Sequence, residues 1–393
     1  MYLRFSMKKL QMLDLKGQME HIRPELDEAV ARVMDSGRFI GGPEVEAFAE
    51  ELSKELDGAF VVPCANGTDA LQISLMALGV GPGDEVITPA FTFISTIEVV
   101  MLLGAKPVLV DVDARTFNID PLAVEAVITE STKAVIPVHL FGQCAFMGDL
   151  MAVAERHGVP VIEDTAQSLM SIYCDENGVS GKAGTIGLCG TTSFFPSKNL
   201  GCMGDGGAIF TRSEEFARKV KTIANHGSQE RYKHLEVGVN SRLDSLQAAI
   251  LRVKLPHLKD YNSARFKAAC KYDEFLSELS GAGLIQVPAR DRRSSHVFNQ
   301  YTIKLCDKLI ESGVTNVEVR DELSKLGVPS AIYYPMGIHE QEAFAGLGYK
   351  KGDMPVSEKL SKTVLSLPMH TELSDTQQLS VVTSLKKVIK KWI

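Results

Sequence analysis

The chain has 393 residues, of which 45% are hydrophobic and 23% are charged. It carries 42 Lys and Arg residues against 49 Asp and Glu residues, which gives a formal net charge of −7. A chain of this length exceeds one simple hydrophobic core, so we expect two domains. Because the protein is mildly acidic and lacks a basic cluster, we do not expect nucleic-acid binding as its main function.

The hydrophobic pattern predicts neither a membrane span nor a secretory signal. The nearest candidate for a span, residues 94–103, is short and is interrupted by Glu98. Residues 1–10 carry basic side chains, but no apolar segment follows them. The seven cysteines are scattered without a CxxC pair, which argues against a disulfide framework and against a zinc site. We therefore expect a soluble, cytoplasmic protein without a metal ion.

Short β-rich runs alternate with helical patterns through the first two thirds of the chain. In chain order, we predict strands at residues 60–65, 85–88, 107–111, 134–138, 159–163, 191–195 and 207–211, and helices at residues 26–34, 69–78, 95–103, 121–128, 148–157 and 214–223. Alternation of such apolar strands with helices predicts a mostly parallel sheet covered on both faces, with one of the last two strands a candidate for antiparallel pairing. The helix at residues 26–34 is expected to lie against this domain.

The pattern changes after about residue 255. A long helical pattern starts near residue 246 and continues, past a break at Pro256, to about residue 279. The later predicted elements are a strand at residues 298–304, a helix containing Val317 and Leu323, and a final helix at residues 375–392. We therefore predict a large α/β domain at residues 1–255 and a smaller α+β domain at residues 256–393.

An acidic residue, Asp164, directly follows the strand predicted at residues 159–163. Ligands of open α/β sheets bind beyond the carboxyl ends of the strands. The Asp164 carboxylate could therefore bind a metal ion, a ribose or a cationic ring. Alternatively, it only caps the next helix, and this residue by itself does not decide between these interpretations.

A lysine, Lys198, lies in a segment of small residues after an apolar strand. Asn199 and the glycines at positions 201, 204, 206 and 207 follow it, so the backbone must turn tightly there. A lysine in a desolvated pocket loses its proton more readily and can form a Schiff base with a carbonyl. The alternative interpretation is an ordinary exposed lysine in a glycine-rich loop.

A third feature is the junction at residues 65–70, Ala-Asn-Gly-Thr-Asp-Ala, where a strand ends in a glycine turn and a helix begins. Backbone N–H groups at such a helix start, with the Thr68 hydroxyl, could hold a phosphate. Thr68 or Asp69 could instead be only an N-cap. Together, the phosphate cradle, Asp164 and Lys198 are what pyridoxal phosphate requires. The lysine binds its aldehyde, the carboxylate keeps its pyridine nitrogen protonated, and the helix start holds its phosphate.

Seven stretches carry a resemblance to a known family. They are GRFIGGPEVEAFAE (37–50), CANGTDALQISLMALGVGPGDEVITPAFTFIST (64–96), PVHLFGQ (137–143), VIEDTAQS (161–168), SFFPSKNLGCMGDGGAIF (193–210), NSRLDSLQAAIL (240–251) and YYPMGIHEQEAF (333–344). In this order and over nearly the whole chain, they resemble the DegT/DnrJ/EryC1/StrS sugar aminotransferases, which are fold-type I (aspartate aminotransferase-like) pyridoxal-phosphate enzymes. The implied fold is a mostly parallel, seven-stranded sheet with a smaller C-terminal α+β domain.

The resemblance also implies a role for each matching residue. Lys198 would form the Schiff base with the cofactor and shuttle a proton, and Asp164 would pair with the pyridine nitrogen. The other implied cofactor contacts are Gln167 near the ring and its 3-hydroxyl, Gly67, Thr68 and Ser193 at the phosphate, and Phe93 stacked on the ring. Core packing of Phe93, with Phe91 as the stacking residue, is the alternative. Asn240 would reach the phosphate of the neighbouring subunit's cofactor, which implies a homodimer with shared active sites.

The implied reaction transfers an amino group from L-glutamate to a nucleotide-linked keto-sugar. A branch of the family with histidine at the position of Lys198 performs dehydration, so the lysine favours transamination. The segment at residues 193–207 is most similar to enzymes acting at C3 of UDP-2-acetamido-2-deoxy-3-oxo-glucuronate. Those enzymes serve the biosynthesis of surface polysaccharides such as the lipopolysaccharide O-antigen.

Candidate substrate contacts come from two segments. Arg242 could clamp a sugar carboxylate or a nucleotide phosphate, although an ordinary salt bridge with Asp244 is an equally good interpretation. Tyr333, Tyr334 and His339 are substrate contacts by resemblance only.

Several alternatives stay open at this point. The acceptor could be another dTDP-, UDP- or GDP-linked keto-hexose, with transfer at C3 or C4. The protein could also bind pyridoxal phosphate as a regulator without turnover. A nicotinamide dehydrogenase is disfavoured, because residues 66–71 lack the GxGxxG pattern. His139 is expected to pack against a strand and to take no part in catalysis.

Overall fold

The computed structural model describes residues 10–230 and 232–393. The expected lack of a secretory signal concerns residues 1–10, of which residues 1–9 lie outside this description. The α-helices are α1 Leu15–Glu20, α2 Arg23–Ser36, α3 Pro43–Glu55, α4 Gly67–Ala77, α5 Ser95–Leu102, α6 Pro121–Val127, α7 Met147–His157, α8 Glu214–Ala224, α9 Ser245–Lys254, α10 Leu258–Gly281, α11 Asp307–Ile310, α12 Asn316–Lys325, α13 Pro355–Thr363 and α14 Asp375–Ile389.

The strands are β1 Phe60–Cys64, β2 Glu85–Pro89, β3 Lys106–Val110, β4 Thr132–Val135, β5 Ile162–Asp164, β6 Ile172–Cys174, β7 Ser180–Lys182, β8 Cys189–Ser193, β9 Gly207–Thr211, β10 Ser228–Glu230, β11 Lys233–His234, β12 Ile285–Gln286, β13 Tyr301–Leu305 and β14 Val364–Leu367. Short 3-10 helices cover Leu140–Gly142, Leu255–His257, Ile338–Glu340 and Glu342–Leu347. None of the helices in the described ranges combines the length and the apolar character that crossing a membrane requires.

A seven-stranded sheet with the order β3-β2-β4-β5-β8-β9-β1 forms the centre of the larger part. Strand β2 pairs in parallel with β3 and β4, and β5 pairs in parallel with β8. Parallel bridges between Val135 and Val161 and between Val138 and Asp164 join the two halves. Strand β9 is antiparallel to both β8 and β1. The sheet is therefore mostly parallel, as predicted, and its antiparallel strand is one of the two that we expected.

Neighbouring residues of each strand point to opposite faces of this sheet. Because the side chains on both faces are apolar, helices cover both faces. In β2, Val86 belongs to a buried cluster with α4, α5 and α8, whereas Ile87 belongs to one with α6 and α7. Ala134 and Val135 of β4 divide between the two clusters in the same way. Burial of each Val or Ile side chain stabilises the fold by about 1.5–3 kcal/mol, which explains why strands apolar on both faces form a covered parallel sheet.

The helix predicted at residues 26–34 is α2, and it packs against α9 in the larger part of the chain. Helix α2 packs its apolar face on α9, where Leu26 contacts a cluster with Ile250, and Ala29 and Val33 pack around Ala249. The helix is longer than predicted because it begins at Arg23 and ends at Ser36, where Gly37 takes a left-handed conformation (φ 64°).

The C-terminal region has a sheet and a core of its own. Strands β12, β13 and β14 form an antiparallel sheet, and α10, α12 and α14 bury apolar side chains against it. The long helical pattern is interrupted by the 3-10 turn Leu255–His257, which contains Pro256. The separate core after this turn supports the predicted domain boundary between residues 255 and 256. The boundary itself stays a prediction.

The strand predicted at residues 298–304 begins later, at Tyr301. The reason is tertiary, because the preceding backbone pairs elsewhere. The N–H of Val297 donates to the carbonyl of Gly142, and the N–H of Asn299 donates to the carbonyl of Phe141. These bonds tie the segment before β13 to the large domain, close to the site described next.

Candidate active site

A cavity of about 710 Å³ opens beyond the carboxyl ends of β5 and β8, next to the start of α4. It brings together most of the predicted site residues, which come from segments far apart in the chain. Those that line it are Gly67, Thr68, Phe93, Asp164, Gln167, Ser193, Lys198, Tyr333 and Tyr334. The predicted residues outside the lining are Asn240, Arg242 and His339.

The start of α4 forms one wall of the cavity. The Oδ1 atom of Asn66 accepts a hydrogen bond of 2.8 Å from the N–H of Asp69, so Asn66 is the N-cap. The suggestion that Thr68 or Asp69 is the N-cap is therefore wrong. The first N–H groups of a helix have no partner within it, which leaves those of Gly67 and Thr68 for a ligand. A Cβ on Gly67 would lie 2.7 Å from the Cβ of Ser193, so only glycine allows Ser193 to approach this helix start.

The Asp164 carboxylate lies at the end of β5 and is 8% exposed. Its Oδ1 atom accepts a hydrogen bond of 3.0 Å from the N–H of Ala166. The helix-cap interpretation of Asp164 is wrong, because residues 166–170 form a turn and no helix. Burial raises the pKa of Asp164, whereas the Ala166 N–H and the positive charge of Lys198 lower it. Those two groups therefore offset part of the effect of burial on this carboxyl group.

The Lys198 side chain enters the same cavity from the loop after β8. The N–H of Lys198 donates to the carbonyl of Phe195 at 2.8 Å, which closes the turn that carries the lysine. Burial lowers the pKa of Lys198, and the negative charge of Asp164 opposes that shift. The lysine is half-buried and is not an ordinary surface residue, so its amine can exist as a neutral nucleophile.

Gln167, Phe93 and Tyr334 form another wall of the cavity. The Oε1 atom of Gln167 accepts a hydrogen bond of 2.6 Å from the N–H of Phe141, and its Nε2 atom donates to the Tyr334 hydroxyl at 3.2 Å. Phe93 is 56% exposed and lines the cavity, whereas Phe91 is fully buried behind Tyr334. A ring must keep one face free to stack on a ligand, so the structure favours Phe93 over Phe91 for that role.

The predicted residues outside the lining have other surroundings. Asn240 is exposed and forms a β-bridge with Asn225. Arg242 is also exposed, and within the described part of the chain it forms no ion pair with Asp244 or any other acid. His339 is buried, with its Nε2 atom 3.2 Å from Oε1 of Glu358. In a single chain, these three side chains are not placed to touch a ligand in the cavity.

His139 is a buried packing residue, as expected. Its Nε2 atom lies 2.9 Å from Oε2 of Glu163, and its Nδ1 atom accepts from the N–H of Ala145 at 3.0 Å. Because Nδ1 accepts, the ring proton lies on Nε2 and donates to Glu163. The ring does not line the cavity.

The lining also includes residues that were not predicted, among them Asn66, Thr92, Asp205 and Gln300. The cap at Asn66 had a sequence signal, because an asparagine three residues before Asp69 at a strand–helix junction is a typical N-cap. Gln300 had no such signal, because its place depends on how the segment before β13 packs against the large domain.

These surroundings fit pyridoxal phosphate. The space beside Gly67, which a Cβ would close, offers unpaired N–H groups and the Ser193 hydroxyl to a phosphate. Asp164 offers a buried carboxylate to a ring nitrogen, and Lys198 offers an amine to an aldehyde. Phe93 offers an exposed aromatic face.

Comparisons with known proteins agree with this interpretation. A family model described as the DegT/DnrJ/EryC1/StrS aminotransferase family matches residues 20–386. The chain is 46% identical over 372 residues to a "Pleiotropic regulatory protein" of Geobacillus stearothermophilus, covering 94% of this chain and 96% of the relative. It is 45% identical over 373 residues to a UDP-2-acetamido-2-deoxy-3-oxo-D-glucuronate aminotransferase of Pseudomonas aeruginosa, covering 95% and 98%.

A further relative is a dTDP-3-amino-3,4,6-trideoxy-alpha-D-glucose transaminase of Streptomyces venezuelae, 38% identical, covering 98% of this chain and 97% of the relative. Among solved structures, NtdA of Bacillus subtilis with bound cofactor PMP superimposes with a TM-score of 0.88 at 31% identity, covering 99% of this chain and 87% of that one. The chain therefore belongs to the DegT/DnrJ/EryC1/StrS aminotransferase family and is a pyridoxal-phosphate-dependent aminotransferase of fold type I.

Proposed function

We propose that this protein moves an amino group from L-glutamate to a nucleotide-linked keto-sugar, at C3 of UDP-2-acetamido-2-deoxy-3-oxo-glucuronate, for a surface polysaccharide. The observation that carries amino transfer is the meeting of Lys198, Asp164 and the start of α4 in one cavity. The choice of acceptor rests on the 45% identity with the Pseudomonas relative. We place the reaction in the cytoplasm, and the seven free cysteines support a reducing compartment.

Bound pyridoxal phosphate supplies an aldehyde and an electron-withdrawing ring that stabilises negative charge on the reacting carbon. Lys198 would hold the aldehyde in this proposal and would later move a proton to and from the substrate carbon. Its lowered pKa suits this work, because a general base is most effective when its pKa lies near the operating pH. Asp164 would keep a proton on the ring nitrogen, and the Ala166 N–H and Lys198 lower the pKa of Asp164 against the effect of its burial.

The other lining residues orient the cofactor. The N–H groups of Gly67 and Thr68 and the Ser193 hydroxyl would donate to its phosphate, each charge-assisted bond contributing about 1.5–3 kcal/mol. Phe93 would stack on the ring, contributing about 1 kcal/mol, and would limit its tilt. Gln167, whose side chain accepts a hydrogen bond from the Phe141 N–H, would contact the ring oxygen.

The charge of the lining suggests that a second subunit completes the site. Among the described lining residues, Lys198 is the only basic side chain, whereas Asp69, Asp164 and Asp205 are acidic. Glutamate and a nucleotide-linked uronic acid are anions, so further cations must come from outside this lining. We propose that Arg242 of a second copy supplies one of them.

Asn240 and Arg242 lie on a surface suited to such contact. Both are exposed, and Val237, three residues before Asn240, is 86% exposed. Phe39 and Ile40 are exposed apolar residues of a neighbouring segment, in which Ile40 bridges to Asp244. We propose a homodimer in which Asn240 reaches the partner's cofactor phosphate and Arg242 reaches its substrate. Tyr333 and Tyr334 complete the substrate contacts from the chain that holds the cofactor.

A two-step spectroscopic assay tests this proposal. Purified protein loaded with pyridoxal phosphate is mixed with L-glutamate, and we expect the cofactor absorbance to change to that of the pyridoxamine form with release of 2-oxoglutarate. Addition of the keto-sugar should then restore the first spectrum. A protein that changes its spectrum with glutamate but with none of the keto-sugars would refute the acceptor and keep the donor. The lysine role is refuted if Lys198→Ala retains the glutamate reaction.

Two findings favour other candidates. The regulatory name of the Geobacillus relative supports a pyridoxal-phosphate-binding regulator without turnover. That candidate predicts no spectral change with any amino donor. The dTDP-sugar name of the Streptomyces relative supports a different acceptor. The reverse reaction of UDP-, dTDP- and GDP-amino sugars with 2-oxoglutarate separates the acceptors, because only the true product should be consumed rapidly.

A further inference from the structure

Three buried asparagines lie directly behind the loop that carries Lys198. Asn199 follows the lysine, Asn262 lies in α10, and Asn299 lies just before β13; their exposed fractions are 4%, 9% and 4%. They do not line the cavity, and the proposed chemistry does not use them. We call these three residues the asparagine cluster.

The cluster holds the residues on both sides of the lysine. The Nδ2 atom of Asn199 donates to Oδ1 of Asn262 at 2.6 Å and to the carbonyl of Val297 at 3.1 Å. The Nδ2 atom of Asn299 donates to Oδ1 of Asn199 at 2.8 Å and to the carbonyl of Ser197 at 3.3 Å. The residue before Lys198 is thus held through its carbonyl, and the residue after it through its side chain.

The same cluster reaches the segment that follows Asp164. The Nδ2 atom of Asn262 donates to the carbonyl of Leu169 at 3.3 Å, in the turn directly after the Asp164 strand. One amide group of α10 therefore contacts both the lysine loop and the carboxylate turn. This connection joins the loop that carries Lys198 to the turn that follows Asp164, the two residues with roles in the proposed chemistry.

Two further basic side chains, Arg265 and Lys254, donate hydrogen bonds to backbone carbonyls near the asparagine cluster. Arg265, three residues after Asn262 in α10, donates through Nη1 to the carbonyls of Phe298 at 3.3 Å and of Asn299 at 3.2 Å. The Nζ atom of Lys254 donates to the carbonyl of Gly201, at the other end of the lysine loop. The Nδ2 atoms of all three asparagines are paired, and displacement of such a buried group leaves it without a partner, so the cluster favours one geometry.

We propose that the asparagine cluster is a positioning device for Lys198. By tying Ser197 and Asn199 to α10 and to the segment before β13, it fixes the amine relative to Asp164. This inference rests on the role of Lys198 stated under Proposed function. Displacement of a catalytic group by about 1 Å can slow a reaction about a hundredfold, so a loosened loop should lower the turnover rate more than substrate binding.

The test compares Asn199→Ala and Asn299→Ala with Asn316→Ala. Asn316 of α12 is a matched control, because it is 3% exposed and its Nδ2 atom bridges the carbonyls of Ser361 at 3.0 Å and Val364 at 2.9 Å. We expect the two cluster variants to slow the single-turnover reaction with glutamate by about 10- to 100-fold, with KM changed less than threefold. The control should lose stability but keep its rate.

Amide hydrogen exchange provides a readout that needs no turnover. In the cluster variants, exchange should accelerate across residues 195–201, whereas in Asn316→Ala it should not. Asn262→Ser removes the contact from the α10 side and replaces Asn199→Ala if that variant does not fold. The inference is overturned if the cluster variants match Asn316→Ala in rate and exchange. A wild-type protein that does not react with glutamate refutes the proposed function instead, and the exchange data still decide whether the cluster holds the loop.

Discussion

Asp164 and Asp111 show how one residue type takes different roles in different surroundings. Each lies at or directly after the end of a parallel strand. The Asp111 carboxylate accepts from the N–H of Val356 and from the N–H and hydroxyl of Ser357, so it anchors the start of α13. Asp164 instead lies in the cavity beside Lys198. A sequence pattern places both at the same sheet edge, and only their neighbours distinguish them.

Asp164→Asn should abolish most of the amino transfer while preserving the fold. The amide has nearly the shape of the carboxylate but cannot keep a proton on the ring nitrogen, so we expect the glutamate reaction to slow about 10²- to 10⁴-fold. Single-turnover absorbance measures this rate. Asp111→Asn is the control, and it should lower stability without changing the cofactor spectrum. Equal rates for Asp164→Asn and the wild type would contradict the assigned role.

Gly67→Ala should weaken binding of pyridoxal phosphate by about 10- to 100-fold. The added Cβ would lie 2.7 Å from the Cβ of Ser193, so one phosphate donor must move away. Equilibrium titration of the apoprotein measures the Kd. Gly81→Ala is the matched control, because nothing lies within 4 Å of its added Cβ and its φ is not positive. Similar affinities for both variants would show that the phosphate does not bind beside Gly67.

His296 should contribute to destabilisation in acid. Its ring stacks on Phe298 at 3.7 Å, and burial lowers the pKa of His296 to about 3. Below pH 6.5 the unfolded chain binds a proton that the folded chain excludes, so the free energy of unfolding falls as the pH decreases from 6.5 towards 3. The slope from this residue is at most about 1.4 kcal/mol per pH unit. In His296→Phe, the free energy of unfolding, measured with urea at each pH, should fall less steeply with decreasing pH, by up to that slope. Parallel pH profiles for the variant and the wild type would contradict this expectation.

At the scale of elements, the start of α4 carries two roles at once. Asn66 caps the helix through Asp69, and the same first turn points its N–H groups at the proposed phosphate. Other helices have caps that serve stability only. Thr315, for example, forms a capping box with Glu318 at the start of α12.

Asn66→Ala should therefore affect both stability and cofactor binding. Loss of the cap costs about 0.5–2 kcal/mol, and a frayed first turn no longer fixes the N–H groups of Gly67 and Thr68. We expect a lower melting temperature together with a pyridoxal-phosphate Kd raised at least about threefold. Thr315→Ala should lose a similar amount of stability at unchanged Kd. The double role of α4 is refuted if both variants bind the cofactor equally well.

Strand and helix types were predictable because they depend on local patterns. Apolar runs of about five residues alternate with helical patterns, and the structure confirms these elements within a few residues. The exception at residues 298–300 has a tertiary cause, since the N–H of Asn299 bonds to Phe141 of the large domain instead of extending β13. The same bonds bring Gln300 to the cavity.

For the whole molecule, the proposed shared site predicts complementation between subunits. Lys198→Ala and Asn240→Ala should each be nearly inactive as homodimers. When the two variants are refolded as an equal mixture, half of the dimers contain one chain of each variant. In such a mixed dimer, one of the two sites contains neither substitution. We expect about a quarter of the wild-type rate, measured against unmixed variants. A mixture no more active than its components would show that Asn240 serves its own subunit's site.

The sequence by itself determined the strand–helix alternation, the family and the residues whose motifs are contiguous, such as the helix start at Gly67 and the lysine loop. These features are encoded locally, in periodicity and in short motifs. Only the tertiary structure decided that Asn240, Arg242 and His339 lie outside the cavity and that the asparagine cluster lies behind Lys198. The physical reason is that contacts between residues a hundred positions apart depend on how whole elements pack, which no local pattern encodes.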